Sequence, residues 1–136
     1  ALGDEWIQAF NGRQFFFSNM SASWFDAQEI CKNKSADLAE MPHLSATEMI
    51  SYIGNIAPSY FPFGQDTWLG GFGWGHWSWI STEPIQSDAW KSGQPNEDMG
   101  PNVRLCALFD KSGLWDRTCS NTKVFICERR VDREKG

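Results

Sequence analysis

Four cysteines, Cys31, Cys106, Cys119 and Cys127, constrain this chain more than any other feature. None forms a Cys-x-x-Cys pair, and the only histidines, His43 and His76, lie far from them in sequence. Structural zinc sites usually bring their ligands in close pairs, so the even count is read as two disulfides, with every connectivity open at this point. Two glycosylation sequons, Asn19-Met20-Ser21 and Asn33-Lys34-Ser35, point the same way, to an oxidising, extracellular setting.

At 136 residues the chain fits one domain with one real hydrophobic core. Eight Trp and ten Phe mean that aromatics build much of that core and leave some for a binding surface. The net charge is -5 and the basic residues are dispersed outside the tail, which argues against nucleic acid and against an anionic membrane surface. No apolar run approaches the roughly 20 residues that span a bilayer, and the first residues do not read as a signal peptide. The expectation is a mature or excised soluble piece without membrane insertion.

Local patterns place the elements. Asn11-Gly12 between Trp6–Ala9 and Arg13–Phe17 predicts a hairpin with a two-residue turn. Ser23 is an N-cap for a helix carrying Trp24, Ala27 and Cys31 on its buried face and ending near Lys34. Ser45-Ala-Thr-Glu48 has capping-box spacing and opens a second helix that Pro58 stops, with Ala46, Met49, Ile50, Ile53 and Ala57 as its stripe. The segment 36–40 reads as a link and 58–66 as an ordered loop. Thr67–Gly70 predicts a short buried strand, Gly71–Gly75 a tight turn, and Trp77 and Trp79 share one face of the next strand. Residues 103–109, 114–118 and 123–128 follow as strand-like segments. Domain organisation is read as 1–128 for the folded unit and 129–136 for a charged tail or linker.

Between Trp90 and Cys106 runs a loop with two prolines and two glycines, which excludes a regular helix or central strand. It exposes five oxygen-bearing side chains, Gln94, Asn96, Glu97, Asp98 and Asn102. Long loops pinned at both ends are usually functional, and this one is the candidate site.

Taken in order, these residues resemble the C-type lectin-like domain family over about residues 5–128. The resemblance rests on Trp24-x-x-Ala27-x-x-x-Cys31, Trp68-Leu-Gly-Gly71, Trp77-x-Trp79, Trp90 ahead of Gly93-Gln-Pro-Asn96, Gly113-Leu-Trp115 before Cys119, and Phe125-Ile-Cys127-Glu128. It implies an α+β fold: two helices flank antiparallel sheets, the terminal strands pair, and a long loop region projects from one end. It also implies the bridges Cys31–Cys127 and Cys106–Cys119, the short form of the family.

In sugar-binding members a calcium ion is held by a Glu-Pro-Asn or Gln-Pro-Asp loop, by an acid two residues before a cysteine, and by an Asn-Asp pair after a Trp. Here the loop reads Gln94-Pro95-Asn96, with no carboxylate at either end. Arg104 stands two residues before Cys106, a cation where the family has an acid. Trp115-Asp116-Arg117-Thr118-Cys119 is one residue short, so Asp116 matches either the asparagine or the aspartate. Glu97 and Asp98 are substitutes within the loop. The resemblance therefore implies a recognition domain whose calcium and sugar site is degenerate and which binds a protein or glycan through Gln94, Asn96, Glu97, Asp98, Arg104, Trp115 and Asp116. No cofactor is demanded. The alternative is a calcium-dependent lectin of galactose or mannose type, with Gln94, Asn96 and Asp116 on the metal and Trp74 or Trp115 against the sugar. No Gly-x-Ser-x-Gly elbow is present, the cysteines are accounted for by bridges and neither histidine has an evident partner, so an enzyme is not expected.

Overall fold

The computed structural model describes residues 6–9, 12–56, 66–73, 76–95 and 105–130. The chain opens with β1 (Ile7–Gln8) and β2 (Arg13–Phe17), an antiparallel hairpin in which Ile7 faces Phe15 and Gln8 faces Gln14. That register, with Ala9 N–H donating to Arg13 O, leaves three residues between Ala9 and Arg13 rather than the two expected from Asn11-Gly12. Gly12 takes a φ of 75°, the left-handed value that a three-residue hairpin needs at its last position.

α1 (Trp24–Asn33) starts where Ser23 Oγ accepts from the Asp26 N–H, and it buries Trp24, Ala27 and Cys31. β3 (Asp37–Leu38) then pairs with the last strand, so the supposed link at 36–40 carries a strand. α2 (Ala46–Ile56) closes a full capping box: Ser45 N–H donates to Glu48 Oε1 at 2.8 Å and Glu48 N–H to Ser45 Oγ at 3.2 Å. Its buried residues are Met49 and Ile53. Ala57 and all but Asp66 of the loop expected over 58–66 fall outside the described residues.

The sheet continues with β4 (Thr67–Gly73), β5 (Trp77–Trp79), β6 (Leu105–Asp110), β7 (Gly113–Thr118) and β8 (Val124–Arg130). The main path runs β1-β2-β8-β4-β6-β7, with β3 on β8 and β5 on β4. Among the described strands one pair departs from an all-antiparallel arrangement: β4 runs parallel to β8, Thr67 beside Val124. Gly71–Gly73 pair with Trp77–Trp79, so they are strand and the tight turn expected from 71 onward is corrected; Trp74 and Gly75 lie outside the described residues. β8 reaches Arg130, two residues into the stretch read as tail, and Arg129 Nε donates to Gln14 Oε1 at 2.8 Å.

Strand alternation splits the core between the two sheet faces. On one, Leu69, Ala107, Phe109, Leu114 and Ile126 meet Met49 and Ile53 of α2. On the other, Trp68, Cys106, Leu108, Phe125 and Cys127 meet Trp24, Ala27 and Cys31 of α1. Buried indole N–H groups need acceptors. Trp24 Nε1 donates to Leu69 O at 2.8 Å and Trp68 Nε1 to Ala22 O at 3.0 Å. Both implied disulfides are present, Cys31–Cys127 joining α1 to β8 and Cys106–Cys119 joining β6 to the end of β7.

Candidate recognition site

The site is built on β7 and on the chain that enters the long loop. A 3-10 turn over Ser87–Ala89 delivers Trp90 to a parallel bridge with Leu114, and Lys91 N–H donates to Leu114 O at 3.0 Å. The Trp90 ring stands edge-on to Trp77 with centroids 4.8 Å apart, which anchors the start of the loop on β5. Gln94 N–H donates back to Lys91 O at 2.8 Å, closing a turn in which Gly93 has a φ of 89°. The Gln94–Pro95 peptide is cis.

β7 then sorts the expected site residues by face. Trp115 and Arg117 lie on the side of the α1 cluster, whereas Leu114 and Asp116 lie on the side of the α2 cluster. Asp116 is 0% exposed and sits opposite Ala107, so strand alternation directs its carboxylate away from the Trp115 face. Above the Trp115 ring come two cations, Lys91 Nζ at 4.9 Å and the Arg117 guanidinium at 5.3 Å from its centroid, both within cation–π range. Arg117 Nη1 also donates to the Asp116 carbonyl at 2.9 Å. Two polar atoms here are buried with no hydrogen-bond partner among the described residues, Gln94 Oε1 and Trp115 Nε1.

The structure thus brings Trp115 together with Lys91 and Arg117 and puts Asp116 on the other face. Asn96, Glu97, Asp98, Asn102 and Arg104 lie outside the described residues. Sequence reading omitted Lys91 from the site, because its place over Trp115 depends on the Trp90–Leu114 bridge, which carries no local signal. Arg117 was expected there from the sequence, with Arg104, as a hydrogen-bond or ion-pair partner of a protein ligand. Among the described residues, no three His, Cys, Asp or Glu side chains converge where they could hold a metal ion. The two sequon asparagines are exposed, Asn19 in the turn before α1 and Asn33 at its last residue.

The family model for the lectin C-type domain matches residues 20–129. This chain belongs to that family. Among its relatives, C-type lectin domain family 4 member G of mouse is 29% identical over 89% of this chain and 40% of its own length. C-type lectin domain family 17, member A of human is 26% identical over 89% of this chain and 30% of its own. The chain therefore spans less than half the length of these relatives. The C-type lectin fold is matched by the carbohydrate-recognition domain of the human scavenger receptor C-type lectin, with a TM-score of 0.74 at 22% identity over 96% of this chain and 100% of that one. A calcium-independent type II antifreeze protein matches with a TM-score of 0.72 at 22% identity over 97% and 96%. C-type lectin domains are non-enzymatic recognition modules for carbohydrate or protein, and the chain is of this kind. Among the described residues, no helix is long and apolar enough to cross a membrane.

Proposed function

We propose that this C-type lectin domain is an extracellular recognition module that binds a protein or glycan ligand through the Trp90–Cys106 loop and the adjoining face of β7, without calcium. The observation that carries the reading is the pair of cations over Trp115, Lys91 and Arg117, beside the Gln94 turn. Calcium takes about six to eight hard oxygen ligands, usually several of them anionic. Here Gln94 and Asn96 are neutral where the family's loop has a carboxylate, Asp116 faces the other side of β7, and Arg104 replaces the family's acid, which leaves Glu97 and Asp98 as the loop's own carboxylates. The cations favour instead a ligand that presents acceptor or anionic groups to them, with the Trp115 ring as an apolar floor. The extracellular setting rests on the two disulfides and on relatives such as the C-type mannose receptor 2 of rat.

One observation favours the calcium-dependent sugar reading: Gln94 Oε1 is a buried acceptor with no partner among the described residues, as a metal ligand would be. Thermal melting in chelator and in millimolar calcium decides between them, because a ligand that binds only the folded state raises its stability. The proposed function expects coincident melts for the wild type and a calcium-dependent rise for Arg104→Glu, which restores the acid. A wild-type melting temperature that climbs with calcium concentration overturns it.

A further inference from the structure

Apart from the long loop, a cavity of about 220 Å³ opens between the start of α1, the end of β4 and the start of β6. Its walls are Trp24, Phe25, Phe72, Gly73, Leu105 and the Cys106–Cys119 disulfide. The walls are firmly held. Trp24 N–H donates to Cys119 O at 2.9 Å, Phe72 and Gly73 pair with Cys106 and Leu105, and the Trp24 ring touches both Phe25 and Phe72. Phe25 nevertheless leaves 47% of its surface exposed, one of two large hydrophobic side chains so exposed among the described residues. A partner side chain that fills this hole would bury apolar surface that the fold leaves in water.

The pocket's size and neighbours indicate what enters it. Its volume falls below the ~300 Å³ at which pockets for drug-sized ligands begin, so it takes one aromatic side chain. Its walls are almost wholly apolar side chains and offer little to the hydroxyls of a sugar. Across the β6–β7 ladder Arg117 stands directly opposite Cys106, a wall of the pocket, and on the same sheet face; Trp115 with Lys91 follows two residues along. Lys91 and Arg117 thus set two positive charges beside an apolar hole. Among the described residues the exposed aromatic that a second copy could insert is Phe25, itself a wall of the pocket, so that copy would surrender the site it enters.

We infer that this pocket receives an aromatic side chain of a protein partner, with a neighbouring acidic residue of that partner reaching Arg117 and Lys91. The inference goes beyond the calcium-free reading of the loop and does not depend on it. The test uses the folded, disulfide-intact domain and three blocked dipeptides at millimolar concentration, acetyl-Trp-Glu-amide, acetyl-Trp-Lys-amide and acetyl-Ala-Glu-amide. Backbone amide NMR shifts are read once in chelator and once in calcium. The Trp-Glu probe should shift Phe25, Phe72, Leu105 and Arg117 in both buffers and bind about threefold more tightly than Trp-Lys, as a partly exposed ion pair allows. The Ala-Glu probe should leave the pocket residues unmoved.

Phe25→Ala should weaken Trp-Glu binding about fivefold, the scale of one aromatic contact, and Arg117→Glu should reverse the preference towards Trp-Lys. Absence of shifts at the pocket, equal binding of Trp-Glu and Trp-Lys, or shifts with Ala-Glu as large as with Trp-Glu overturns the inference. So does a concentration-dependent dimer that Phe25→Ala abolishes, since the occupant would then be a second copy. If calcium stabilises the wild type while the Trp-Glu shifts persist, the loop reading fails and the pocket stands.

Discussion

Glu128 follows Cys127 on β8 and is gripped from two sides. Arg13 Nε donates to its Oε2 at 2.7 Å and Arg13 Nη2 to its Oε1 at 2.8 Å, while the Glu40 N–H donates to Oε1 at 3.1 Å. Arg13 Nη2 also donates to Glu40 O at 2.8 Å, so one forked ion pair ties the N-terminal hairpin, the last strand and the segment after β3. Burial works against the Arg13 charge, but the hydrogen bond and charge of Glu128, with the charges of Tyr52 and Glu40, together outweigh it, and its pKa stands above the ordinary value. Glu40 is pushed the costly way. Burial raises its pKa, the Ser81 hydrogen bonds pull it down, and the charges of Glu128 and Asp37 raise it again, for a net rise. A carboxyl whose folded pKa exceeds its unfolded one stabilises the fold below the unfolded value and loses that contribution as pH rises through the folded one. Glu40→Gln should therefore remove a slope: as pH falls from neutral to the ordinary carboxylate range, wild type gains stability relative to the variant. Paired urea titrations across that range check it, and a constant difference between the two proteins would refute it. None of this was readable beforehand, because Arg13, Glu40 and Glu128 are far apart in the chain.

At the scale of elements, both helices were legible because their signals are local: Ser23 caps α1 and the Ser45–Glu48 box caps α2 where the spacing placed them. β3 was missed, since two residues hold no periodicity and it exists only by pairing with Glu128 and Cys127. Gly71 and Gly73 of β4 were misread as turn for a related reason, whereas Gly70 was read as strand. Glycine usually punctuates turns, but here it admits close neighbours within a strand. A Cβ on Gly70 would lie 2.9 Å from Leu38 O and 3.1 Å from Ala39 O, both backbone atoms that cannot step aside. One on Gly71 would press on Ile85 Cδ1 at 2.8 Å and Ala107 Cβ at 3.0 Å. Gly70→Ala should cost about 2–3 kcal/mol, at the upper end of overpacking, and more than Gly71→Ala, where the Ile85 side chain can turn. Chemical denaturation of the two variants checks the order.

For the whole molecule, the two bridges dominate the balance. Cys31–Cys127 spans a sequence separation of 96 and Cys106–Cys119 one of 13. Loop-closure entropy makes them worth about 4.7 and 3 kcal/mol before native strain is deducted, against a typical net stability of about 5–15 kcal/mol. Reduction should unfold the domain at moderate temperature, with loss of the near-ultraviolet circular dichroism of its tryptophans, and Cys31→Ser/Cys127→Ser should be more damaging than Cys106→Ser/Cys119→Ser. A reduced protein with an unchanged melting temperature would contradict this. The sequence by itself determined the family, the two helices, most of the strands and the even set of cysteines, because caps, aromatic spacing and cysteine positions are written along the chain. Only the tertiary structure decided which cations meet Trp115, that Asp116 turns to the opposite face of β7, and that an apolar pocket opens beside the Cys106–Cys119 bridge. Those facts depend on strand register, and a shift of one residue in register exchanges the two faces of a strand.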